Sequence, residues 1–190
     1  MDNKLNTELV VIGSGPGGYT AAFRAADLGI SVTLIDKSSS LGGVCLNRGC
    51  IPSKSLLHIS KIINEAKSSA DIGLSFNNPK INIDKIHKWK NQIISNLNNG
   101  IDSLAKSRKI NVINGTAKFL SANELSIVDN QQKNIFLTFD NCIIATGSKS
   151  TVIPTLNKKH PSILYSKDAL NFKKVPNKLL VIGVSILLLR

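Results

Sequence analysis

Residues 8–18 read ELVVIGSGPGG, and this stretch is the strongest indication of the fold. A short apolar run rich in β-branched residues predicts a buried strand, and the glycine spacing that follows predicts a tight turn opening a helix. The Ala-rich stretch beyond it ends at Gly29, and residues 32–35 (VTLI) predict a second strand that closes at Asp36. Strand, turn, helix and strand in this order form a βαβ unit with parallel strands.

The glycine turn is typical of a dinucleotide site when it follows a strand and opens a helix. Gly13 permits the tight turn, Gly15 lets a pyrophosphate approach the backbone, and Gly18 lets the helix pack closely against the strand. The helix N-terminus adds N–H donors and a positive dipole, and Asp36 can accept a hydrogen bond from a ribose hydroxyl. A glycine turn without a ligand is the alternative, and the motif does not distinguish FAD from NAD.

The rest of the chain predicts an α/β fold with two further helices and several short strands. Apolar residues at helical spacing predict the helices, and short alternating runs separated by polar turns predict a small antiparallel meander at about 110–139. We therefore expect a Rossmann-like parallel sheet with an inserted β-meander. The predicted helices span residues 52–66 and 84–107, and the predicted strands span 110–113, 116–119, 124–128, 135–139 and 142–145.

Two cysteines stand close together where a helix is predicted to begin: residues 41–54 read LGGVCLNRGCIPSK. A disulfide between Cys45 and Cys50 would close a very short loop, and such strained, accessible disulfides are readily reduced. The helix N-terminus and Lys54 would favour the thiolate. Zinc binding is the alternative, but Cys142 lies in an apolar strand and no Cys or His pair at ligand spacing completes a site. No metal site is predicted.

Composition excludes several classes of protein. The chain has 190 residues, 42% of them hydrophobic, with a formal net charge of +12, so we expect a folded domain. Its basic residues are mostly Lys scattered among Asn and Ile, and aromatic residues make up only 5%, which argues against a nucleic-acid partner. The longest apolar run is too short for a membrane helix and the start lacks a secretory signal, so we expect a cytoplasmic chain with no membrane partner.

Three stretches together resemble the pyridine nucleotide-disulfide oxidoreductases, and most closely the dihydrolipoyl dehydrogenases. They are the glycine turn at 13–18, the cysteine segment at 45–54 and the strand and turn at 143–147 (IIATG). The cysteine segment is the most specific of them. The resemblance implies a flavoprotein that passes electrons from dihydrolipoamide through a redox-active disulfide and FAD to NAD. It also implies a lipoyl-bearing acyltransferase of a 2-oxoacid dehydrogenase complex as partner, and a homodimer in full-length relatives.

The resemblance also assigns roles to individual residues. Cys45 would be the interchange thiol that forms a mixed disulfide with the substrate, and Cys50 the thiol next to the flavin. Asp36 stands where the family more often has Glu. The alternative for Ala117 and Ser148 is that they are ordinary strand and loop residues without a role in binding. The residues expected to bind FAD are Gly13, Gly15, Gly18, Asp36, Lys37, Gly43, Lys54, Ala117, Thr146, Gly147 and Ser148.

The family pattern stops near the end of this sequence. Residues 179–183 (LLVIG) predict the first strand of an NAD-binding domain, but residues 184–190 lack the second glycine turn, so we expect the NAD site to be missing. The expected organisation is an FAD-binding domain with the disulfide at 1–150, a connecting segment at 151–177 and a truncated NAD-domain start at 178–190. A frameshift or premature stop near Val184 is our hypothesis for this end.

The C-terminal His–Glu acid/base pair of the family has no counterpart among His58, His87 and His160. We therefore expect a disulfide oxidoreductase that is truncated and unable to complete turnover. A non-catalytic FAD-binding or redox-relay fragment is the first alternative. A basic nucleic-acid-binding protein is the second.

Overall fold

The computed structural model of the chain describes residues 3–156 and 160–183. The chain divides into two compact units. We call Met1–Leu46 with Asn96–Lys149 the sheet unit, and Asn47–Ser95 with Ser150–Arg190 the helical unit.

The sheet unit contains a closed cycle of paired strands. β1 lies between β2 and β5 and runs parallel to both, and β2 pairs in parallel with β3. β4 runs antiparallel to β3 and β5 and closes the cycle. The predicted combination of a parallel sheet and an antiparallel meander is confirmed. The strands are β1 (Asn3–Ile12), β2 (Val32–Asp36), β3 (Asn111–Ser121), β4 (Glu124–Asp129) and β5 (Asn134–Ile144).

The central strands are covered on both faces, which is why their sequences are continuously apolar. Val10 and Val11 are consecutive in β1 and are both 0% exposed, and residues 32–35 of β2 are buried throughout. One core cluster joins the parallel strands to the meander, since its members come from all five strands. The cluster consists of Val10, Ile35, Ile113, Leu125, Ile127, Leu137 and Phe139.

Two pairs of strands predicted as separate are single long strands, so these predicted breaks are wrong. The segments 110–113 and 116–119 both belong to β3, and 135–139 and 142–145 merge into β5, which ends at Ile144. Gly115 resembles a turn residue, yet β3 runs straight through it. A Cβ at Gly115 would stand 2.6 Å from the Val128 carbonyl oxygen of β4, so the glycine permits close strand approach there.

Both units contain helices at the predicted places. α1 starts with Pro16 in its first turn, buries Gly18, Ala22 and Ala25, and is followed by Gly29 at a φ of +86°. The helix predicted from residue 52 begins two positions earlier, at Cys50, because a proline is tolerated within the first turn. The helices are α1 (Pro16–Asp27), α2 (Gly43–Arg48), α3 (Cys50–Ser68), α4 (Ile83–Ser107) and α5 (Ser166–Ala169), with 3-10 turns at Ser69–Ile72 and Pro154–Leu156.

The strand predicted at 179–183 is not formed, so that prediction is wrong. These residues belong to no strand, and Leu180 is 83% exposed. A strand needs the backbone of a neighbouring strand to complete its hydrogen bonds, and an apolar sequence alone does not provide one. The rest of the expected NAD-domain start, from Val184 to residue 190, lies outside the described residues.

In the helical unit, α4 holds the segment after α5 through a buried cation. Lys90 is 1% exposed, and its Nζ donates to the carbonyl oxygen of Leu170 at 2.7 Å and to Oδ1 of Asn171 at 2.6 Å. His87 Nε2 donates to the Phe172 carbonyl oxygen at 2.7 Å. Burial lowers the pKa of Lys90. The helical pattern of α4 places Lys90 off the apolar stripe, and only the packed structure accounts for its burial.

Replacing Lys90 tests this anchor. Lys90→Ala leaves the Leu170 and Asn171 oxygens without their donor, so we expect a loss of about 1–3 kcal/mol in the free energy of unfolding and faster hydrogen exchange at 165–172. Lys88→Ala, on the same helix and exposed, is the matched control. Equal denaturant midpoints and exchange rates for the two variants would contradict the anchoring role.

Candidate functional site

The turn after β1 is packed so closely that two of its glycines have no room for a side chain. Gly13 has a φ of +104°, and its N–H donates to the Ile35 carbonyl oxygen of β2 at 2.7 Å. A Cβ at Gly13 would collide with the Ala145 carbonyl group, and one at Gly18 would collide with the Gly13 carbonyl oxygen. These contacts hold the start of α1 against the ends of β1 and β5.

Gly15 faces open space instead. It is the N-cap of α1 without a side-chain capping bond, and no described atom lies within 4 Å of where its Cβ would stand. The first N–H groups of a helix lack intrahelical partners, so an anion can approach them here without displacing a side chain. We call the glycine turn at residues 13–18, together with the first N–H groups of α1, the cradle. The cradle fits the pyrophosphate of a dinucleotide.

The Asp36 carboxylate at the end of β2 is held by several donors. Its Oδ2 accepts from the N–H and the hydroxyl of Ser14, each at 2.7 Å, and its Oδ1 accepts from the Ser38 N–H at 2.8 Å. Burial by itself raises the pKa of Asp36, but the hydrogen bonds from Ser38 and Ser14 together outweigh burial and hold the pKa below its ordinary value. The carboxylate therefore stays ionised at neutral pH.

A cavity of about 170 Å³ in the sheet unit brings several predicted site residues together. It is smaller than the roughly 300–1,000 Å³ of a typical ligand pocket, so it suits one part of a dinucleotide. Five of its lining residues were predicted to bind the cofactor: Gly13, Asp36, Lys37, Ala117 and Thr146. Four further residues line the cavity and were not predicted from the sequence: Ile12, Ile35, Gly115 and Thr116.

A signal for the missed residues exists in the sequence. Ile12 and Ile35 are the apolar residues just before the glycine turn and Asp36, and the carboxyl ends of parallel strands meet at one edge of a sheet. Gly115 and Thr116 precede the predicted Ala117 on β3. Gly147, at a φ of +70°, and Ser148 follow Thr146 beyond β5, where both are exposed and do not line this cavity.

The helix that carries Cys45 starts directly on the glycine turn. Gly42 N–H donates to the Ser14 carbonyl oxygen at 2.9 Å, and a Cβ at Gly43 would stand 2.6 Å from the Gly15 Cα. Gly43 also has a φ of +59°. Within the sheet unit, backbone contacts thus join the cradle to the start of the cysteine segment. These contacts leave no space for a side chain at Gly43.

Cys50 begins α3 in the helical unit. Both Cys45 and Cys50 are half-buried, and the Ser53 hydroxyl donates to the Cys50 carbonyl oxygen at 3.0 Å. Lys54 belongs to the same unit, and its side chain is exposed near the start of the helix. The redox pairing of the two cysteines and the role of Lys54 stay predictions.

The remaining candidate groups are not among the residues that line the cavity at Asp36. Cys142 pairs in register with Val10 and packs against the core cluster, and burial raises the pKa of its thiol. His58 stacks on Trp89, with ring centroids 6.2 Å apart. Within residues 3–156 and 160–183, no group of three or more His, Cys, Asp and Glu side chains is arranged to hold a metal ion. No helix in the part of the chain described is long and apolar enough to cross a membrane.

Adjacent glycines in α1 give a matched test of the packed turn. Gly18→Ala forces a Cβ into the Gly13 carbonyl group, so we expect a large loss of thermal stability and of soluble protein. Gly17→Ala meets open space, so it is expected to be neutral or to stabilise by up to about 1 kcal/mol. Thermal unfolding monitored by circular dichroism compares the two, and equal melting temperatures would refute the packing argument.

Acid unfolding tests the Asp36 network. Because the folded-state pKa lies below the ordinary value of 3.8, the carboxylate contributes stability that is present above pH 3.8 and is lost as pH falls through the folded-state pKa. Asp36→Asn is expected to be less stable at pH 7 and to lose less stability than the parent chain below pH 3.8. Asp140→Asn, at an exposed position on β5, is the control. Parallel stability curves for all three proteins between pH 7 and pH 2.5 would contradict the network.

Known proteins resemble this chain in both sequence and fold. The family model described as pyridine nucleotide-disulphide oxidoreductase matches residues 7–187. Over 187 residues the chain is 46% identical to the dihydrolipoyl dehydrogenase of Vibrio cholerae and 50% identical to that of Buchnera aphidicola from Acyrthosiphon pisum. These alignments cover 98% of this chain and 39% of each relative, so the chain spans about 39% of the length of the relatives it matches.

A solved structure agrees with the sequence matches. It is a Cu(II) complex of a cysteine-to-serine mutant of RclA, an HOCl-induced flavoprotein disulfide reductase from Escherichia coli. The TM-score is 0.73 at 27% identity, with coverage of 93% of this chain and 36% of the other. The family match over nearly the whole chain, the shared fold and the sequence identities agree. The chain belongs to the pyridine nucleotide-disulphide oxidoreductase family.

Proposed function

We propose that the chain is the FAD-binding and disulfide-bearing part of a dihydrolipoyl dehydrogenase. The observation that carries the proposal is the backbone contact of Gly43 with Gly15, because it starts the Cys45 helix on the cradle suited to a pyrophosphate. A dinucleotide bound in the cradle would lie next to the start of the cysteine segment. Family membership and the dihydrolipoyl dehydrogenase relatives support the same function.

Different residues are proposed to bind different parts of the dinucleotide. Gly13, Gly15 and Gly18 with the first N–H groups of α1 would hold the pyrophosphate, and Asp36 would accept a bond from the adenosine ribose. Lys37, Ala117 and Thr146 line the same cavity as Asp36. FAD supplies a two-electron acceptor when it is bound. Gly147, Ser148 and Lys54 remain proposed contacts beyond this cavity.

The cysteines would carry out the exchange with the substrate. One thiolate of a dihydrolipoyl group attacks Sγ of Cys45 in a Cys45–Cys50 disulfide, which forms a mixed disulfide and releases the Cys50 thiolate. The second substrate thiolate attacks the substrate sulfur of that mixed disulfide and releases the Cys45 thiolate. The substrate becomes a cyclic disulfide, and its two electrons reduce the cysteine pair to two thiolates. The two protons are released to solvent when the substrate thiols ionise before each attack.

Hydride transfer to NAD needs a second glycine turn, which residues 184–190 do not contain. We therefore propose that the described residues carry out the first half of the reaction, in which the dithiol reduces the cysteine pair and FAD. Its proposed partner is the lipoyl group of an acyltransferase in a 2-oxoacid dehydrogenase complex, and its proposed location is the cytoplasm. An FAD-binding redox relay without turnover is the second candidate, since the cradle and both cysteines suffice for it.

Spectroscopy of the purified chain tests the proposal. After reconstitution with FAD, titration with dihydrolipoamide is expected to produce a long-wavelength charge-transfer band from the Cys50 thiolate to the flavin. Cys50→Ser is expected to abolish the band, and Cys142→Ser, whose thiol packs against the core cluster, is expected to retain it.

The outcomes separate the candidate functions. A chain that cannot be reconstituted with FAD would refute the flavin assignment. A chain that binds FAD but shows no band with dihydrolipoamide would be an FAD-binding module without disulfide chemistry.

A further inference from the structure

Ser14 connects three parts of the sheet unit. It lies between the first two glycines of the turn and is 0% exposed. Its N–H and its hydroxyl both donate to Oδ2 of Asp36, at the end of β2, and its carbonyl oxygen accepts from the Gly42 N–H just before α2. One buried serine therefore ties the glycine turn to the acidic residue and to the helix that carries Cys45.

The bonds from Ser14 also restrict how Asp36 can meet a ligand. A carboxylate has about four acceptor positions. Ser14 takes two of them on Oδ2, the Ser38 N–H takes one on Oδ1, and the Ser38 hydroxyl also donates to the carboxylate. A ligand hydroxyl can therefore bind where the rotatable Ser38 hydroxyl gives up its bond. The orientation of the carboxylate is thus set by the protein before a dinucleotide arrives.

Removing the Ser14 hydroxyl changes this arrangement selectively. The N–H of residue 14 and its carbonyl bond to Gly42 persist in any residue, whereas the second bond to Oδ2 requires the side chain. Lys37 is the other ionisable residue that lines the same cavity among the described residues. It adjoins Asp36 in the chain and is exposed.

We propose that Ser14 is a positioning residue of the dinucleotide site, whose hydroxyl orients the Asp36 carboxylate toward the ribose of FAD. The inference rests on the proposed function, because it requires that the cradle binds FAD. It goes beyond that function by assigning part of the FAD affinity to a side chain that does not itself contact the ligand. A purely structural role for Ser14 would affect the turn whether or not Asp36 carries a charge.

A double-mutant cycle separates these two roles. The dissociation constant of FAD is measured by flavin fluorescence for the 190-residue chain and for Ser14→Ala, Asp36→Asn and the double variant. We expect Ser14→Ala to weaken FAD binding about tenfold, Asp36→Asn to weaken it at least as much, and the double variant to match Asp36→Asn within about twofold. Ser103→Ala, which removes an exposed hydroxyl bonded to the Asn99 carbonyl oxygen, is expected to bind like the parent.

The pH dependence of FAD binding gives a second readout. The Ser14 hydroxyl helps to keep the carboxylate ionised, so the acid limb of the binding curve is expected to move to higher pH in Ser14→Ala and to vanish in Asp36→Asn. Unchanged affinity and pH profile in Ser14→Ala, or an equal weakening by Ser14→Ala in the Asp36→Asn background, would overturn the inference while FAD binding itself stands. Failure of the parent chain to bind FAD would overturn the proposed function as well.

Discussion

The backbone contact between Gly18 and the Gly13 carbonyl group determines how the carboxyl end of β1 is built. Because a side chain at either position would collide with backbone, α1 can begin close to the strand ends, and its first N–H groups face the open side of Gly15. The cradle, the position of Asp36 and the start of α2 all depend on this approach. A looser turn would move α1 away from the strand ends. It would thereby separate the cradle, Asp36 and the start of α2, which the proposed chemistry requires close together.

The residues around Asp36 show how a charged side chain is stabilised in a partly buried position. Burial alone would destabilise the Asp36 carboxylate, yet the backbone N–H groups and hydroxyls of Ser14 and Ser38 hold it as an anion. Lys90 shows the opposite balance: burial lowers its pKa although the oxygens of Leu170 and Asn171 accept from it. Buried charge is tolerated in both cases because hydrogen-bond partners are provided, but only the cluster at Asp36 adjoins the proposed ligand site.

Most of the fold is predictable from local pattern. The glycine spacing after an apolar run identified β1, the turn and α1, and five of the predicted cofactor residues line one cavity. The strand breaks at Gly115 and between 139 and 142 were mispredicted, because a glycine or a polar residue in a strand resembles a turn until its neighbour strands are known. The strand predicted at 179–183 is not formed for a related reason, since no strand among the described residues pairs with this segment.

The chemical groups are readable from the sequence without a structure: the glycine cradle, the acidic residue at the end of β2, the two close cysteines and the family to which they belong. Tertiary structure alone decided how these groups are supported. Ser14 carries no sequence signal beyond its place between two glycines, and Lys90 resembles a solvated lysine. Their roles arise because hydrogen bonds such as those from Ser14 to Asp36 and from Lys90 to Leu170 join residues 22 and 80 positions apart, and no local pattern encodes such pairs.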